Sequence, residues 1–321
     1  MDPTASPDGS STSATTPSSR SRRSRREWRT SSSPGSRTLL TPSTLRSLAA
    51  RHGIRPKKAL GQHFLIEPAL ARRIAELAEL GPRSRVLEVG AGLGSLTLAL
   101  AETGAKVVAV ELDRRLIPPL EEVAGGLERV KLEVADAVSA DWGALLPHPG
   151  PWTVVANLPY NVAVPVVMGI LEREPRVLRL LVMVQREVGE RLTADPGHPQ
   201  YGAVSVRVAY RAEGSVVRRI SRSVFWPQPK VDSVLVSLVR RNAPVEVDEA
   251  ALWEVVGVSF GQRRKTMRGA LVRLGMDADQ ARDALARCGI EPRTRPERLG
   301  LPEFACLARR WSQIRSQVSS G

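Results

Sequence analysis

The run Val86-Leu-Glu-Val-Gly-Ala-Gly-Leu-Gly94 constrains this chain more than any other stretch. An aliphatic strand enters three glycines at alternate positions, and an aliphatic helix pattern leaves them. Glycine lets the backbone turn tightly and lets a ligand approach with no Cβ in the way. A strand–loop–helix unit of this kind belongs in a parallel sheet, whose ligands sit beyond the strands' carboxyl ends where strand order reverses. The sequence repeats the alternation. Strands are expected over 85–89, 106–111, 130–134, 153–156, 178–184, 203–210 and 234–239, with helices over 93–101, 116–123, 164–171 and 187–193. The strands are nearly continuous Val/Leu runs, as strands covered on both faces are. The pattern predicts an α/β fold with a mostly parallel, seven-stranded, Rossmann-like sheet.

Ahead of that core, Thr41 and Pro42 read as N-cap and N1 of a helix, and Pro68 opens another that Gly81-Pro82 should stop. Past Asn242 the pattern turns helical, over 249–259, 265–274, 278–288 and 302–313. Three regions follow: a Ser/Arg-rich tail over 1–37, expected to be disordered; the α/β domain over 38–242; and a small all-helical domain over 243–321.

The formal net charge is +14. Excess Lys and Arg suit a polyanion, because each phosphate contact releases condensed counterions. Seven arginines against Asp2, Asp8 and Glu27 place +4 of this in the tail, so the remainder is basic on its own. A membrane span is not expected: residues 162–171 are the most continuous apolar stretch, too short and broken by Pro165. Cys288 and Cys306 are too few for a disulfide framework and lack metal-site spacing, which suits a reducing cytoplasm.

Two ligands compete for the glycine loop. The dinucleotide fingerprint needs its third glycine where Ser95 stands, and the acidic Glu88 before the loop would repel a pyrophosphate. S-adenosylmethionine has no phosphate and carries a sulfonium and an ammonium, so a nearby carboxylate favours it. Glu111 ends the next strand, placed to accept ribose hydroxyls. Asp136 follows the strand after that, placed to accept from an adenine amine. Either acid alone reads equally well as a solvent-facing strand end; two in succession after one glycine loop favour the cofactor.

The fourth strand runs into Asn157-Leu-Pro-Tyr160. An adenine amine is a poor nucleophile because its lone pair is delocalised into the ring. The Asn157 side-chain oxygen and the carbonyl of Leu158 or Pro159 can accept its two hydrogens. That favours the tetrahedral nitrogen of the transition state and holds it near a sulfonium methyl. Tyr160 offers a face on which an extruded base can stack. As a plain Asn-Pro turn the tetrapeptide is unremarkable; its position after a matching cofactor half points to amino-methyl transfer.

The chain resembles the KsgA/RsmA family of ribosomal RNA adenine dimethyltransferases over roughly residues 38–315. The resemblance rests on Leu60-Gly-Gln-His-Phe-Leu65, the Glu88–Gly94 loop, Glu111-Leu-Asp113, Asn157-Leu-Pro-Tyr-Asn161, Gln185-Arg-Glu-Val188, Pro229-Lys-Val-Asp-Ser233 and Phe260-Gly-Gln-Arg-Arg-Lys-Thr266. It implies a class I methyltransferase sheet with a helical C-terminal domain. It implies S-adenosylmethionine contacts at His63, Leu65, Gly90, Gly92, Glu111, Asp136 and Asn157, and a base packed between Tyr160 and Phe225. The implied substrate is two adjacent adenosines in a hairpin near the 3′ end of 16S rRNA, each methylated twice as the immature small subunit matures. A monomer in the cytoplasm is expected. Arg263, Arg264, Lys265 and Arg268 are candidates for gripping phosphates, unless they form a solvated helix face. Segment 185–191 reads as structural support, with Arg186 and Glu187 pairing locally. His63 departs from the family's usual Asn, though a neutral imidazole still offers one donor and one acceptor. Gln228 interrupts the usual proline-rich stretch. Alternatives at this stage are a 23S rRNA adenine methyltransferase of the antibiotic-resistance type, a non-catalytic ribosome-assembly factor, and a DNA adenine methyltransferase.

Overall fold

The computed structural model describes residues 39–262 and 265–318. The tail expected over 1–37, and the candidates Arg263 and Arg264, lie outside the described residues. In chain order the strands are β1 (Phe64–Leu65), β2 (Arg85–Val89), β3 (Lys106–Glu111), β4 (Val130–Val134), β5 (Trp152–Asn157), β6 (Val177–Gln185), β7 (Ala212–Ile220), β8 (Phe225–Trp226) and β9 (Ser233–Arg240). The α-helices are α1 (Pro42–Arg51), α2 (Pro68–Leu77), α3 (Ser95–Glu102), α4 (Ile117–Ala124), α5 (Trp142–Leu145), α6 (Ala163–Arg173), α7 (Arg186–Leu192), α8 (Ala203–Arg211), α9 (Glu249–Phe260), α10 (Met267–Leu274), α11 (Ala278–Arg287) and α12 (Leu301–Val318).

Seven strands form one sheet in the order β4-β3-β2-β5-β6-β9-β7. The five from β4 to β6 run parallel, while β9 is antiparallel to both β6 and β7. Strand order reverses between β2 and β5, and the carboxyl ends there carry the glycine loop and Asn157. This is the switch point where such sheets take ligands. Alternation along the strands splits the core. Val86, Val107, Ala109, Val155, Leu181 and Leu235 pack beneath α1–α4. Leu87, Val108, Val154, Val182 and Val236 pack beneath α5–α8. Burial on both faces explains why these strands read as unbroken aliphatic runs.

Three expectations need correction. The segment over 203–210 is helix α8, not a strand. Its alternating Val204, Val206 and Val208 mimic a strand's period. As a helix it serves two cores: Val208 joins the sheet core, and Val206 and Tyr210 join the cluster of α9–α12. Ser205 caps it by accepting from Gly202 N at 3.1 Å. The sheet's sixth strand in sequence is therefore β7, immediately after. Second, the stop precedes Gly81-Pro82: α2 ends where its apolar pattern ends, at Leu77 with Ala78 as C-cap, and Glu79 already takes the left-handed turn with φ 55°. The reason is tertiary: Arg179 of β6 donates to the Leu77 carbonyl (3.0 Å) and pairs with the Glu79 carboxylate (2.8 Å). Third, Cys288 and Cys306 are paired as a disulfide with Cα atoms 5.9 Å apart, tying the end of α11 to α12. Both pack in the helical C-terminal region, and two cysteines suffice for one bridge.

No described helix is long and apolar enough to cross a membrane.

Candidate active site

The three loop glycines all adopt positive φ: 77° at Gly90, 61° at Gly92 and 90° at Gly94. A Cβ on Gly92 would stand 3.1 Å from the Phe64 ring. The loop is pinned to the next strand, with Gly90 N donating to the Val110 carbonyl at 2.8 Å. The loop borders a cavity at the switch point. The walls come from the 60–65 segment, the glycine loop, Glu111 to Asp113 and Asn157 to Val162.

Glu111 is 8% exposed, and each carboxylate oxygen accepts a backbone N–H at 2.9 Å, one from Gly92 and one from Asp113. Burial raises its pKa; those amides pull the other way. Asp113 accepts from Gln62 at 2.9 Å and pairs with Arg115. The Arg115 guanidinium holds the Asp113 carboxyl down at about 2. Glu88 lies beneath the loop at 1% exposure. Burial pushes it up to about 8, and Glu111 nearby adds to the rise. Glu88 Oε2 has no hydrogen-bond partner in the protein.

Asn157 ends β5. Its amide nitrogen donates to the His63 carbonyl at 2.9 Å, which fixes the amide's orientation. Its Oδ1 is buried and has no partner. An orphaned acceptor at a cavity wall is costly unless a ligand donor satisfies it. Two carbonyls follow. Pro159 O accepts from Val162 N at 3.2 Å, while Leu158 N donates to Met183 O at 3.1 Å. Tyr160 is half-buried, and its hydroxyl shares a 2.7 Å hydrogen bond with Ser233 Oγ. Burial raises the phenol pKa, against the pull of that bond.

The 57–65 segment closes against this wall. Gly61 has φ 63°, and a Cβ there would fall 2.9 Å from Asn161 Oδ1 and 3.0 Å from Tyr160 N. Asn161 donates to Ala59 O at 3.2 Å. His63 Nδ1 lies 2.6 Å from the Pro227 carbonyl. A carbonyl only accepts, so Nδ1 carries the proton. The neutral ring therefore keeps its lone pair on Nε2. The His63 ring packs 5.0 Å from that of Tyr160.

Of the candidate residues, His63, Leu65, Gly90, Gly92, Glu111, Asn157, Leu158, Pro159 and Tyr160 line one cavity. Four others are placed differently. Asp136 lies two residues past β4, exposed and outside the cavity wall, with its carboxylate accepting from Val138 N at 2.9 Å. Phe225 is 2% exposed in β8, where it pairs with Leu65 and joins the core. Its ring is therefore covered by the protein. Lys265 and Arg268 are exposed at α10, remote in sequence from the cavity walls. Arg186 does not pair with Glu187: it lies 3.8 Å from Glu190, and Glu187 takes Arg191 at 2.9 Å, as i,i+4 spacing on α7 dictates. Sequence reasoning gave no part to Gly61, Asp113 or Ser233. Gly61 and Ser233 stood inside quoted motifs, but only the fold brings them to Asn161 and Tyr160.

The model of the family described as ribosomal RNA adenine dimethylase matches residues 53–303. A ribosomal RNA small subunit methyltransferase A from Moorella thermoacetica is 43% identical over 248 residues, covering 73% of this chain and 85% of that protein. Its namesake from Streptomyces griseus is 46% identical over 246 residues, covering 74% and 84%. Among solved structures, a dimethyladenosine transferase from Plasmodium falciparum superposes with a TM-score of 0.67 at 22% identity, over 78% of this chain and 98% of that one. The 23S rRNA methyltransferase ErmE gives 0.61 at 29% identity, over 78% and 100%.

Proposed function

The chain belongs to the ribosomal RNA adenine dimethylase family, and from that premise we propose that its cavity methylates N6 of two adjacent adenosines near the 3′ end of 16S rRNA. The observation that carries this is the orphaned Asn157 Oδ1, held in place by the amide's bond to His63 O. It is an acceptor waiting for an N–H. The second acceptor is the carbonyl of Leu158 or of Pro159, whose second lone pair stays available beside its bond from Val162 N. Together they localise the amine's lone pair as it becomes tetrahedral. Tyr160, braced by Ser233, supplies the stacking face for the extruded base.

The donor set fits S-adenosylmethionine. The Glu111 carboxylate and the unpartnered Glu88 Oε2, beside a loop whose glycines leave room for close approach, suit a ligand that is cationic and carries hydroxyls. When bound, that cofactor supplies a methyl group activated by a sulfonium. Gly90, Gly92, Leu65 and His63 shape its seat. Asp136 and Phe225 join only if their segments shift to meet ligands. Lys265 and Arg268, with the adjoining Arg263 and Arg264, contact RNA phosphates. Residues 243–321 are a separate domain, and its described helices α9 and α12 pack on α8. The protein acts as a cytoplasmic monomer on the maturing small subunit.

The likeness to ErmE supports one competing reading, methylation of 23S rRNA. The test is to incubate purified protein and cofactor with undermethylated small and large subunits and digest the rRNA for mass spectrometry. Dimethyladenosine in adjacent positions of the small-subunit RNA is the expected product. Modification confined to the large-subunit RNA overturns the assignment.

A further inference from the structure

A cationic rim stands beside the acceptor wall, on the stretch from β7 to β9. Between Gly214 and Ser233 the sequence holds Arg218, Arg219, Arg222 and Lys230 against a single acid, Asp232. All four cations are exposed. Elsewhere the arginines of this protein are widely paired, among them Arg72 with Glu102, Arg176 with Glu174 and Arg207 with Glu172. These four form no ion pair among the described residues.

The one acid is used to hold the rim together. Asp232 Oδ1 accepts from Arg222 N at 3.1 Å, and its carbonyl accepts from Arg186 N at 3.0 Å. Arg222 also donates to the Lys230 carbonyl at 3.3 Å. The 222 turn, the 230 turn and the start of α7 therefore meet at one residue. The rim is joined directly to the candidate site. Ser233, next in the chain, bonds Tyr160, and Pro227, between the two turns, bonds His63. On β7 the register shifts between Val216 and Arg218, so a bulge precedes the pair Arg218 and Arg219, which lie opposite Leu235 and Val234 of β9. A bulge re-aims the side chains that follow it and is common beside active sites. Successive strand residues point to opposite faces, so Arg218 shares the face of Leu235 and Ser233 and Arg219 that of Val234; β7 is the sheet's edge strand, and the two exposed side chains flank that edge from either side.

Unpaired cations cost self-repulsion and suit a ligand that neutralises them. We propose that Arg218, Arg219, Arg222 and Lys230 bind the phosphates of the substrate RNA strand flanking the extruded adenosine. The inference rests on the function proposed above and adds a second anchoring surface, separate from α10. RNA is favoured over an acidic protein because the rim borders the pocket a nucleotide must enter and offers a tract of cations rather than an apolar patch. Phosphate contacts fix register and orientation without reading sequence. The rim would set which nucleotide reaches Asn157.

The test uses the full-length protein and a naked hairpin RNA carrying the target adenosines. Arg218, Arg219, Arg222 and Lys230 are replaced by Gln together and one at a time. Each cation lost should reduce the slope of log affinity against log salt by about 0.7, the single-strand value per phosphate. The quadruple variant should raise KM for RNA by about 10-fold or more, with kcat within a few-fold and S-adenosylhomocysteine affinity unchanged. An Arg218→Lys, Arg219→Lys, Arg222→Lys variant should restore the salt slope, which a merely structural role would not do. If the quadruple variant misfolds, the single variants carry the same slope test. An unchanged slope while the wild type still forms dimethyladenosine overturns the rim and leaves the function standing. A defect on whole subunits but not on naked hairpin also overturns it, since the occupant would then be a ribosomal protein. Failure of the wild type to form dimethyladenosine on undermethylated small subunits overturns the function instead.

Discussion

Replacing Asn157 by Ala removes two contacts of different kinds, and the structure separates their costs. The Oδ1 atom has no protein partner, so its loss does not weaken the free protein; relieving a buried orphan acceptor is neutral or slightly favourable. The Nδ2 bond to His63 O at 2.9 Å is lost, leaving that carbonyl short of a donor. That costs about 1–3 kcal/mol of stability. The catalytic cost is larger. An acceptor that strengthens as the amine pyramidalises is comparable to one oxyanion-hole donor, about 3–4 kcal/mol or a 100- to 1,000-fold loss in kcat. Single-turnover transfer of labelled methyl to hairpin RNA reads this directly, with filter binding of RNA and calorimetry of S-adenosylhomocysteine alongside. RNA affinity should stay within about 3-fold, because phosphate contacts dominate it. A folded Asn157→Ala protein with transfer within about 5-fold of wild type would refute the acceptor role.

Glu88→Gln should remove a pH dependence of stability. The Glu88 pKa rises from 4.5 to about 8 on burial, so the folded state holds a proton that the unfolded state has lost. Wild-type stability therefore falls as pH rises from about 4.5 towards 8, by up to about 1.4 kcal/mol per unit, and levels off above. Urea melts at pH 5.5 and 8.5 should show the wild type losing ground to the variant; an equal gap at both pH values refutes the assignment. Gly61→Ala puts a methyl 2.9 Å from Asn161 Oδ1 at a left-handed φ. It should cost on the order of 1–3 kcal/mol and lower kcat together with cofactor affinity, measured by thermal melts and steady-state kinetics. Tyr160→Phe removes only the bond to Ser233. It should keep the stacking face, cost about 1 kcal/mol in a denaturant melt, and hold kcat within about 10-fold in the methyl-transfer assay, whereas Tyr160→Ala should abolish turnover.

The sheet was legible because burial on both faces writes itself as unbroken aliphatic runs, and the glycine loop marks the switch point. The first wall of the site was legible for the same reason: Gly90 follows a strand, and Glu111 and Asn157 end strands, whose carboxyl ends must converge. What failed depended on partners distant in sequence. The α8 valines alternate like a strand, and only the C-terminal helices packed on Val206 and Tyr210 decide for helix. The end of α2 is set by Arg179, about a hundred residues later. How far the Phe225 ring is covered likewise depends on how β8 lies on β1. The rim's cations stand in the sequence, but their place beside the site does not. With 203–210 read as the strand, Arg218 and Arg219 had no place beside the site.

The central claim is tested most directly by a crystal structure of the protein with S-adenosylhomocysteine and a hairpin RNA carrying the target adenosines. The account predicts an adenine stacked on Tyr160 with N6 about 2.7–3.2 Å from Asn157 Oδ1 and Asn157 Nδ2 still bonded to His63 O. An adenine seated elsewhere, or an Asn157 amide whose oxygen points into the protein while the base goes unbonded, would contradict it.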